Sequence, residues 1–231
     1  MTCGSGAPRG TLPRGALVAR HGYSGGDLTS WRHEQRLDAV LDAVRQAGAR
    51  SVLDLGCGAG DLILRLLQEP QIDRILGIDQ DRAALQTLQA HVRVLRARDA
   101  DRGEPDLALV AGSLLEAGRE LRGFDCVVLV EVLEHLEPER LSVLERAVFR
   151  HIAAPHVILT TPNADFNAAL GVPGHRFRHP DHKFEWGGRR FRSWAEGVAR
   201  RHGYSVHASD IAAVHPTLGS ASQMAVFVHA A

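Results

Sequence analysis

Short apolar stretches alternate with amphipathic ones through the first two-thirds of the chain, which predicts strands and helices in turn. The predicted strands are apolar runs of six to nine residues at 51–56, 74–79, 106–113, 124–131 and 155–163. The predicted helices carry apolar residues at helical spacing and lie at 30–48, 61–69, 81–92 and 138–152. This alternation predicts an α/β fold, a mostly parallel sheet with helices on both faces.

The pattern changes after residue 163. Residues 164–188 contain Gly, Pro, His and aromatic residues without a clear period. A helix is predicted at 189–202, followed by two antiparallel strands, 204–211 and 223–230. An irregular segment of this length in a compact domain is typically functional or mobile.

Length and composition limit the classes of protein that fit. The 231 residues suit one domain, predicted at 28–231, after a flexible Gly-, Pro- and Ser-rich lead-in at 1–27. The 27 basic and 27 acidic side chains cancel, which excludes a uniformly basic binder but not a local basic patch. Three cysteines, far apart and without a CxxC motif, disfavour a disulfide framework. With no membrane-length apolar run and no secretory signal core, we expect a cytoplasmic protein without a membrane partner.

A glycine-rich turn follows the first predicted strand and predicts a nucleoside-binding site. Glycines at this point let the backbone approach a ligand closely. Asp79, at the end of the second strand, can accept hydrogen bonds from both hydroxyls of a ribose. The cofactor-binding candidates are Asp54, Gly56, Cys57, Gly58, Gly60, Asp61, Asp79 and Ser113. The alternative is a tight turn with a purely structural role.

Asp54 indicates which nucleoside. A carboxylate two residues before the first glycine would repel a pyrophosphate but suit an ammonium group. The turn DLGCGAG resembles the DxGxGxG motif of class I S-adenosylmethionine-dependent methyltransferases, which implies a Rossmann-like seven-stranded fold with this donor. In that fold the end of the third strand, here Ser113, contacts the adenine edge; Ser113 could instead cap the next turn.

A second group of residues has the composition of a metal site. Glu131, Glu134 and His135 are spaced i, i+3, i+4, so a helical turn would place them on one face. The segment RHPDHKFEW (178–186) adds two histidines and two acids. Two carboxylates with two imidazoles suit Mg²⁺, Mn²⁺, Co²⁺ or Fe²⁺ better than a closed zinc site. The alternatives are a capping and packing role for the first group and a solvated loop for the second.

Three segments together carry a more specific resemblance. EVLEHL (131–136), TTPNADFN (160–167) and RHPDHKFEW, downstream of DLGCGAG, resemble the Hen-type small-RNA 3′-terminal ribose 2′-O-methyltransferases over roughly residues 50–200. The resemblance implies that Glu131, Glu134, His135 and His182 hold a divalent ion and form the catalytic centre, with His179 at most a neighbour. It implies the 3′ end of a small RNA as substrate, no DNA, and RNA-processing or repair proteins as candidate partners.

The sequence departs from this family's pattern in two places. Gly187 and Gly188 stand where Thr-Arg usually follows the FEW triplet. The long N-terminal domain of bacterial relatives and the RNA-binding modules of the plant form are not in these 231 residues.

A basic segment at 176–201 is the predicted RNA contact. It contains eight basic and three acidic side chains, a local excess of positive charge that phosphate binding needs. The basic residues are Arg176, Arg178, Lys183, Arg189, Arg190, Arg192, Arg200 and Arg201. Phe177, Phe184 and Trp186 could stack on a base or pack the loop, and packing is preferred for Phe184. The alternative is a solvated Arg-rich helix face.

Two other functions compete. A small-molecule O- or N-methyltransferase fits the glycine turn and the LEHL segment equally well, but not DHKFEW or the basic segment. A non-catalytic RNA-binding module would have no need for Asp54, Asp79 and the four candidate ligands.

Overall fold

The computed structural model describes residues 25–98, 105–215 and 217–230. Most of the predicted lead-in, residues 1–24, lies outside them. No helix in the described residues has both the length and the apolar character needed to cross a membrane.

Seven strands form one sheet, as predicted. The strands are β1 (Ser51–Leu55), β2 (Arg74–Asp79), β3 (Asp106–Ala111), β4 (Cys126–Val130), β5 (His156–Pro162), β6 (Tyr204–His215) and β7 (Gly219–His229). Their order is β3-β2-β1-β4-β5-β7-β6. The first five strands pair in parallel, whereas β7 runs antiparallel to β5 and β6.

Five α-helices in the described ranges flank this sheet. They are α1 (Gly25–Gln46), α2 (Asp61–Leu66), α3 (Arg82–Arg98), α4 (Leu141–Glu145) and α5 (Gly188–His202). The helix predicted at 138–152 is divided into a 3-10 turn Pro138–Arg140, α4 and a π-helix Arg146–Ile152. Helix α1 begins five residues earlier than predicted, and the apolar positions used to predict it are buried.

The core consists of two layers, one on each sheet face. Val52 and Val128 pack in the layer with α1, α2 and α3, whereas their chain neighbours Leu53 and Val127 pack in the layer with α4 and α5. Successive side chains of a strand point to opposite faces, so an apolar run without alternation is needed where both faces are covered.

Parallel pairing brings the carboxyl ends of β1, β2, β4 and β5 to one edge of the sheet. Open α/β sheets bind their ligands at that edge. The glycine turn, Asp79, the EVLEH segment and the loop after β5 all begin there.

Candidate functional site

The glycine turn after β1 has the backbone conformation that its sequence predicts. Gly56, Gly58 and Gly60 all have positive φ, between 53° and 85°. A Cβ on Gly60 would lie 2.2 Å from Leu88 Cδ1 and one on Gly56 would lie 2.7 Å from Val132 Cγ2. Gly60 is therefore required for the close packing of α2 on α3, while Gly56 and Gly58 line a cavity.

Asp79 is held rigidly at the end of β2. Its Oδ2 accepts a hydrogen bond from the Gly58 N–H at 2.7 Å, and its Oδ1 accepts one from the Asp81 N–H at 2.8 Å. Each carboxylate oxygen keeps a further lone pair. Asp79 lines the same cavity as the glycines, so the carboxylate can accept hydrogen bonds from a bound diol.

The remaining cofactor-binding candidates occupy different surroundings. The Cys57 side chain is packed in the core, and burial raises the pKa of its thiol. Asp61 is exposed and bonds to His33 Nε2 at 2.9 Å. Ser113 lines the cavity and also caps a 3-10 turn by accepting from the Leu115 N–H, so both of its predicted roles are compatible.

Asp54 is buried beneath the turn. Burial, with the nearby charge of Asp79, raises the pKa of its carboxyl to about 7. The ionised form is therefore costly in the empty protein, and a cation bound beside it would stabilise that form. This matches the ammonium group that the sequence predicts at this position.

Asp54→Asn is expected to stabilise the empty protein at alkaline pH. The folded-state pKa is above the unfolded value of 3.8, so between pH 4 and 7 folding takes up a proton, and stability falls as pH rises through that window. The advantage of Asn over Asp should be about 0.5 kcal/mol near pH 4 and reach about 4 kcal/mol at pH 8, since one pKa unit corresponds to about 1.4 kcal/mol. Urea unfolding of both proteins at the two pH values checks this. An advantage independent of pH would contradict the assignment.

A cavity of about 620 Å³ connects the turn to the segment after β4. Gly56, Gly58, Asp79 and Ser113 line it, and so does His135. The predicted donor site and the predicted catalytic centre therefore share one space.

Three of the four predicted metal ligands converge around His135, which lines this cavity. Glu134, His135 and His182 each offer one ligand atom, and these atoms all lie within 4.8 Å of one another. Glu134 is fully buried and His182 is largely buried, whereas His135 is exposed to the cavity. The rings of His135 and His182 lie 4.9 Å apart, with His179 as a third neighbour 5.6 Å from His182.

Glu131, the fourth predicted ligand, lines the same cavity but is not part of this three-residue cluster. It has a φ of 54° and precedes a 3-10 turn, Leu133–His135, so the shared helical face expected from the i, i+3, i+4 spacing does not form. Its Oε1 accepts from Thr160 Oγ1 at 3.0 Å, and its Oε2 lies 3.4 Å from Arg36 Nη1. Arg36 comes from α1, 95 positions earlier, so the sequence spacing could not indicate this pair.

The cluster has supporting contacts that the sequence reasoning did not identify. His182 Nδ1 lies 2.5 Å from Glu185 Oε1, and an Nδ1–H bond there would leave the Nε2 lone pair free. Glu185 also accepts from Asn167 Nδ2 and from the Arg178 N–H. The i, i+3 spacing of His182 and Glu185 was the available signal.

The donor set and its surroundings fit a divalent cation. Thr161 Oγ1 donates to Glu134 Oε2 at 2.9 Å, but Oε1 is buried without a hydrogen-bond partner in the part of the chain that the structure describes. Burial and Glu131 raise the pKa of Glu134 well above its usual value. Burial and the neighbouring rings of His182 and His179 lower the pKa of His135, which keeps this imidazole neutral. A neutral imidazole and a carboxylate oxygen in need of a partner are suitable ligands for such an ion.

The basic segment is less uniform than its sequence suggests. The prediction that Arg178 contacts RNA is wrong for the described conformation, because its guanidinium donates to Asn167 Oδ1 and to the carbonyls of Asn163 and Ala221. Arg192 pairs with Asp210 and Arg201 with Glu145. Arg176, Arg189, Arg190 and Arg200 are exposed, as are the ion-paired Arg192 and Arg201.

The aromatic residues of this segment divide in the same way. Phe184 and Trp186 are buried and pack on each other with ring centroids 4.6 Å apart, as preferred for Phe184. Phe177 is 47% exposed. Phe177 is therefore the better candidate for contact with a base.

Comparison with known proteins gives consistent matches. The family described as a methyltransferase domain matches residues 53–155. The "Small RNA 2′-O-methyltransferase" of Gallus gallus is 34% identical over 203 residues, which cover 85% of this chain and 53% of that protein. The chain thus spans about half the length of this curated relative.

Two solved structures are similar in fold and sequence. The methyltransferase domain of bacterial CtHen1 (the CN form) matches with a TM-score of 0.74 and 31% identity, covering 85% of this chain and 99% of that one. The structure of the small RNA methyltransferase HEN1 matches with a TM-score of 0.79 and 29% identity, covering 93% of this chain and 27% of that one.

Proposed function

This chain belongs to the family of small-RNA 2′-O-methyltransferases within the class I methyltransferases, and on that premise we propose that it transfers a methyl group from S-adenosylmethionine to the 2′-hydroxyl of the 3′-terminal ribose of an RNA in a metal-dependent reaction. One observation carries the proposal. Asp79 and His135 line the same cavity, and His135 belongs to the Glu134–His135–His182 cluster, so a donor and an acceptor can meet there.

The donor is positioned by the ends of β1 and β2. Asp79 accepts hydrogen bonds from the ribose hydroxyls of the donor. The Gly58 and Asp81 N–H groups hold its carboxylate in the orientation needed for this. Asp54, in its ionised form, stabilises the donor's ammonium group. The glycine turn allows the donor to lie against the backbone.

The acceptor end is formed by Glu134, His135 and His182, which would hold a divalent cation, with Glu131 beside them. Such an ion lowers the pKa of a coordinated hydroxyl and orients it. Glu185 orients His182 through its Nδ1. Thr161 holds one Glu134 oxygen and leaves the other free for a ligand.

The transfer forms one bond and breaks one. The 2′-oxygen bonds to the methyl carbon while the bond from that carbon to the sulfonium sulfur breaks, so S-adenosylhomocysteine leaves. The proton of the 2′-hydroxyl passes to water, or to whichever of His135 and His182 does not ligate the ion, because a neutral imidazole has only one lone pair. Alignment in one cavity supplies much of the rate enhancement.

The direct test uses synthetic RNAs that differ only at the 3′ end. RNA with a free terminal 2′,3′-diol should become resistant to periodate oxidation after incubation with S-adenosylmethionine and a divalent cation. RNA ending in 3′-deoxyribose or a 3′-phosphate should not accept a labelled methyl group. Methylation of a phenol panel with none of RNA would instead favour a small-molecule methyltransferase. Equal labelling of all three RNAs would contradict specificity for the terminal ribose.

The exposed arginines at the start of α5 should contribute to RNA affinity by binding phosphates. For Arg189→Gln/Arg190→Gln, we expect RNA affinity to fall about tenfold near 0.1 M salt. The slope of log K against log salt should decrease in magnitude by about 2, because each arginine neutralises one phosphate. Filter binding between 50 and 300 mM NaCl measures both quantities. Arg93→Gln, which alters an exposed residue of α3, is the matched control. An unchanged slope would show that this helix face is only solvated.

A further inference from the structure

Lys183 is the single lysine among the chain's 27 basic residues, and it lies beside the shared cavity. It lines this cavity together with Arg140 and His135. Both cationic side chains belong to exposed residues. They come from different segments, the 3-10 turn before α4 and the loop before α5. Two cations thus flank the acceptor end of the cavity.

The backbone of Lys183 is fixed relative to the catalytic centre. Its N–H donates to the Glu134 carbonyl at 2.7 Å. Its chain neighbours are anchored as well, since His182 bonds to Glu185 and Phe184 is buried against Trp186. The position of the Lys183 backbone, from which the side chain extends, is therefore set by the same contacts that hold the candidate metal ligands.

The ammonium group itself is held only weakly. Lys183 Nζ lies 3.7 Å from Glu137 Oε1, and the two side chains are 43% and 57% exposed. An exposed ion pair of this length contributes little, because solvent screens it and both side chains lose freedom. Glu137 also lines the cavity. It is thus an anion that an incoming ligand with a negative charge can displace.

We propose that Lys183, assisted by Arg140, binds the phosphodiester that joins the terminal nucleotide of the RNA to its neighbour, and that Glu137 occupies Lys183 when RNA is absent. This inference rests on the proposed function and adds the contact that places the terminal ribose. The ribose that reacts at His135 carries this phosphate on its own 5′-oxygen, so a cation beside the same end of the cavity is within the reach of that group. A phosphodiester oxygen at hydrogen-bond distance binds an ammonium group more favourably than an exposed carboxylate at 3.7 Å, since charge-assisted hydrogen bonds are shorter than this.

The decisive measurement pairs a protein change with a substrate change. One RNA carries a neutral methylphosphonate at the last linkage, and a control RNA carries it at the fourth linkage from the 3′ end. For the wild type, we expect the last-linkage substitution to raise KM about tenfold with little change in kcat. For Lys183→Met, KM for unmodified RNA should rise by a similar factor, and the last-linkage substitution should then have almost no further effect.

Two variants sharpen the result. Glu137→Gln removes the competing carboxylate, so KM for unmodified RNA should fall about two- to threefold, whereas Lys183→Met raises it. In the double variant, Glu137→Gln should no longer lower KM, because the lysine that it releases is absent. Lys183→Arg should retain most of the affinity, because it keeps the charge. A defect in folding would not produce either pattern.

The carboxylate of the donor is the other anion that Lys183 could bind, and calorimetry with S-adenosylmethionine distinguishes the two. An unchanged donor affinity in Lys183→Met supports the phosphodiester, whereas a loss confined to donor binding overturns the proposal. Equal sensitivity of wild type and Lys183→Met to the last-linkage methylphosphonate also overturns it. If the wild type methylates no RNA at all, the proposed function is wrong. If the wild type is active but insensitive to the last-linkage methylphosphonate, only the role of Lys183 is wrong.

Discussion

Replacing Glu134 by glutamine is expected to lower the rate of methyl transfer about 100-fold or more while leaving the protein folded. Mutation of a residue that supports a metal ligand typically lowers metal affinity or activity about 10- to 100-fold. Loss of a ligand itself should lower activity by at least about 100-fold. Glutamine has nearly the same shape and can still accept the Thr161 hydroxyl bond. Because burial and Glu131 raise the pKa of Glu134, removal of its charge should leave the thermal stability of the metal-free protein equal or higher.

Three measurements test this expectation. Single-turnover methyl transfer gives the rate, thermal unfolding without metal gives the stability, and electron paramagnetic resonance of added Mn²⁺ gives the ion affinity, which should fall more than tenfold. Glu139→Gln, an exposed carboxylate five positions later, is the control and should change none of them. If Glu134→Gln keeps more than half of the activity with the same dependence on divalent ions, Glu134 is not a ligand.

Asp79→Ala should weaken binding of S-adenosylmethionine about 100-fold. Two hydrogen bonds from the ribose hydroxyls to a carboxylate are removed, and bonds to charged groups contribute about 1.5–3 kcal/mol each. The Gly58 and Asp81 N–H groups lose their acceptor at the same time, so the turn is held less firmly. Isothermal titration calorimetry with the donor measures the effect directly.

Asp73→Asn provides the comparison for this second variant. Asp73 precedes β2 at the opposite edge of the sheet, where it pairs with Arg50 on the surface, and its replacement should leave donor affinity unchanged. A donor analogue that lacks both ribose hydroxyls should bind wild type and Asp79→Ala with similar affinity. If Asp79→Ala discriminates between donor and analogue as strongly as the wild type, Asp79 does not contact the ribose.

The strands and the residues at their ends were predictable because the patterns that indicate them lie within one element or between neighbouring elements of the chain. Apolar runs such as 74–79 and 124–131 are buried on both faces of the sheet, and burial on both faces requires such runs. The glycines and Asp79 are separated by one strand-helix-strand unit, whose geometry places the two ends side by side. The division of 138–152 into three helix types was not predictable, since 3-10, α and π turns tolerate similar residues.

The sequence by itself determined the sheet, the edge at which the site lies and the residue types that can hold a donor and an ion, because hydrophobic period and motif spacing act within one element or between adjacent ones. Only the tertiary structure decided how those residues are used. It directs Glu131 toward Arg36, turns Arg178 inward to carbonyls near β5 and β7, and places Lys183 beside the cavity. Each of these outcomes depends on a partner from a distant segment. Such a partner comes within contact distance only when the chain has folded.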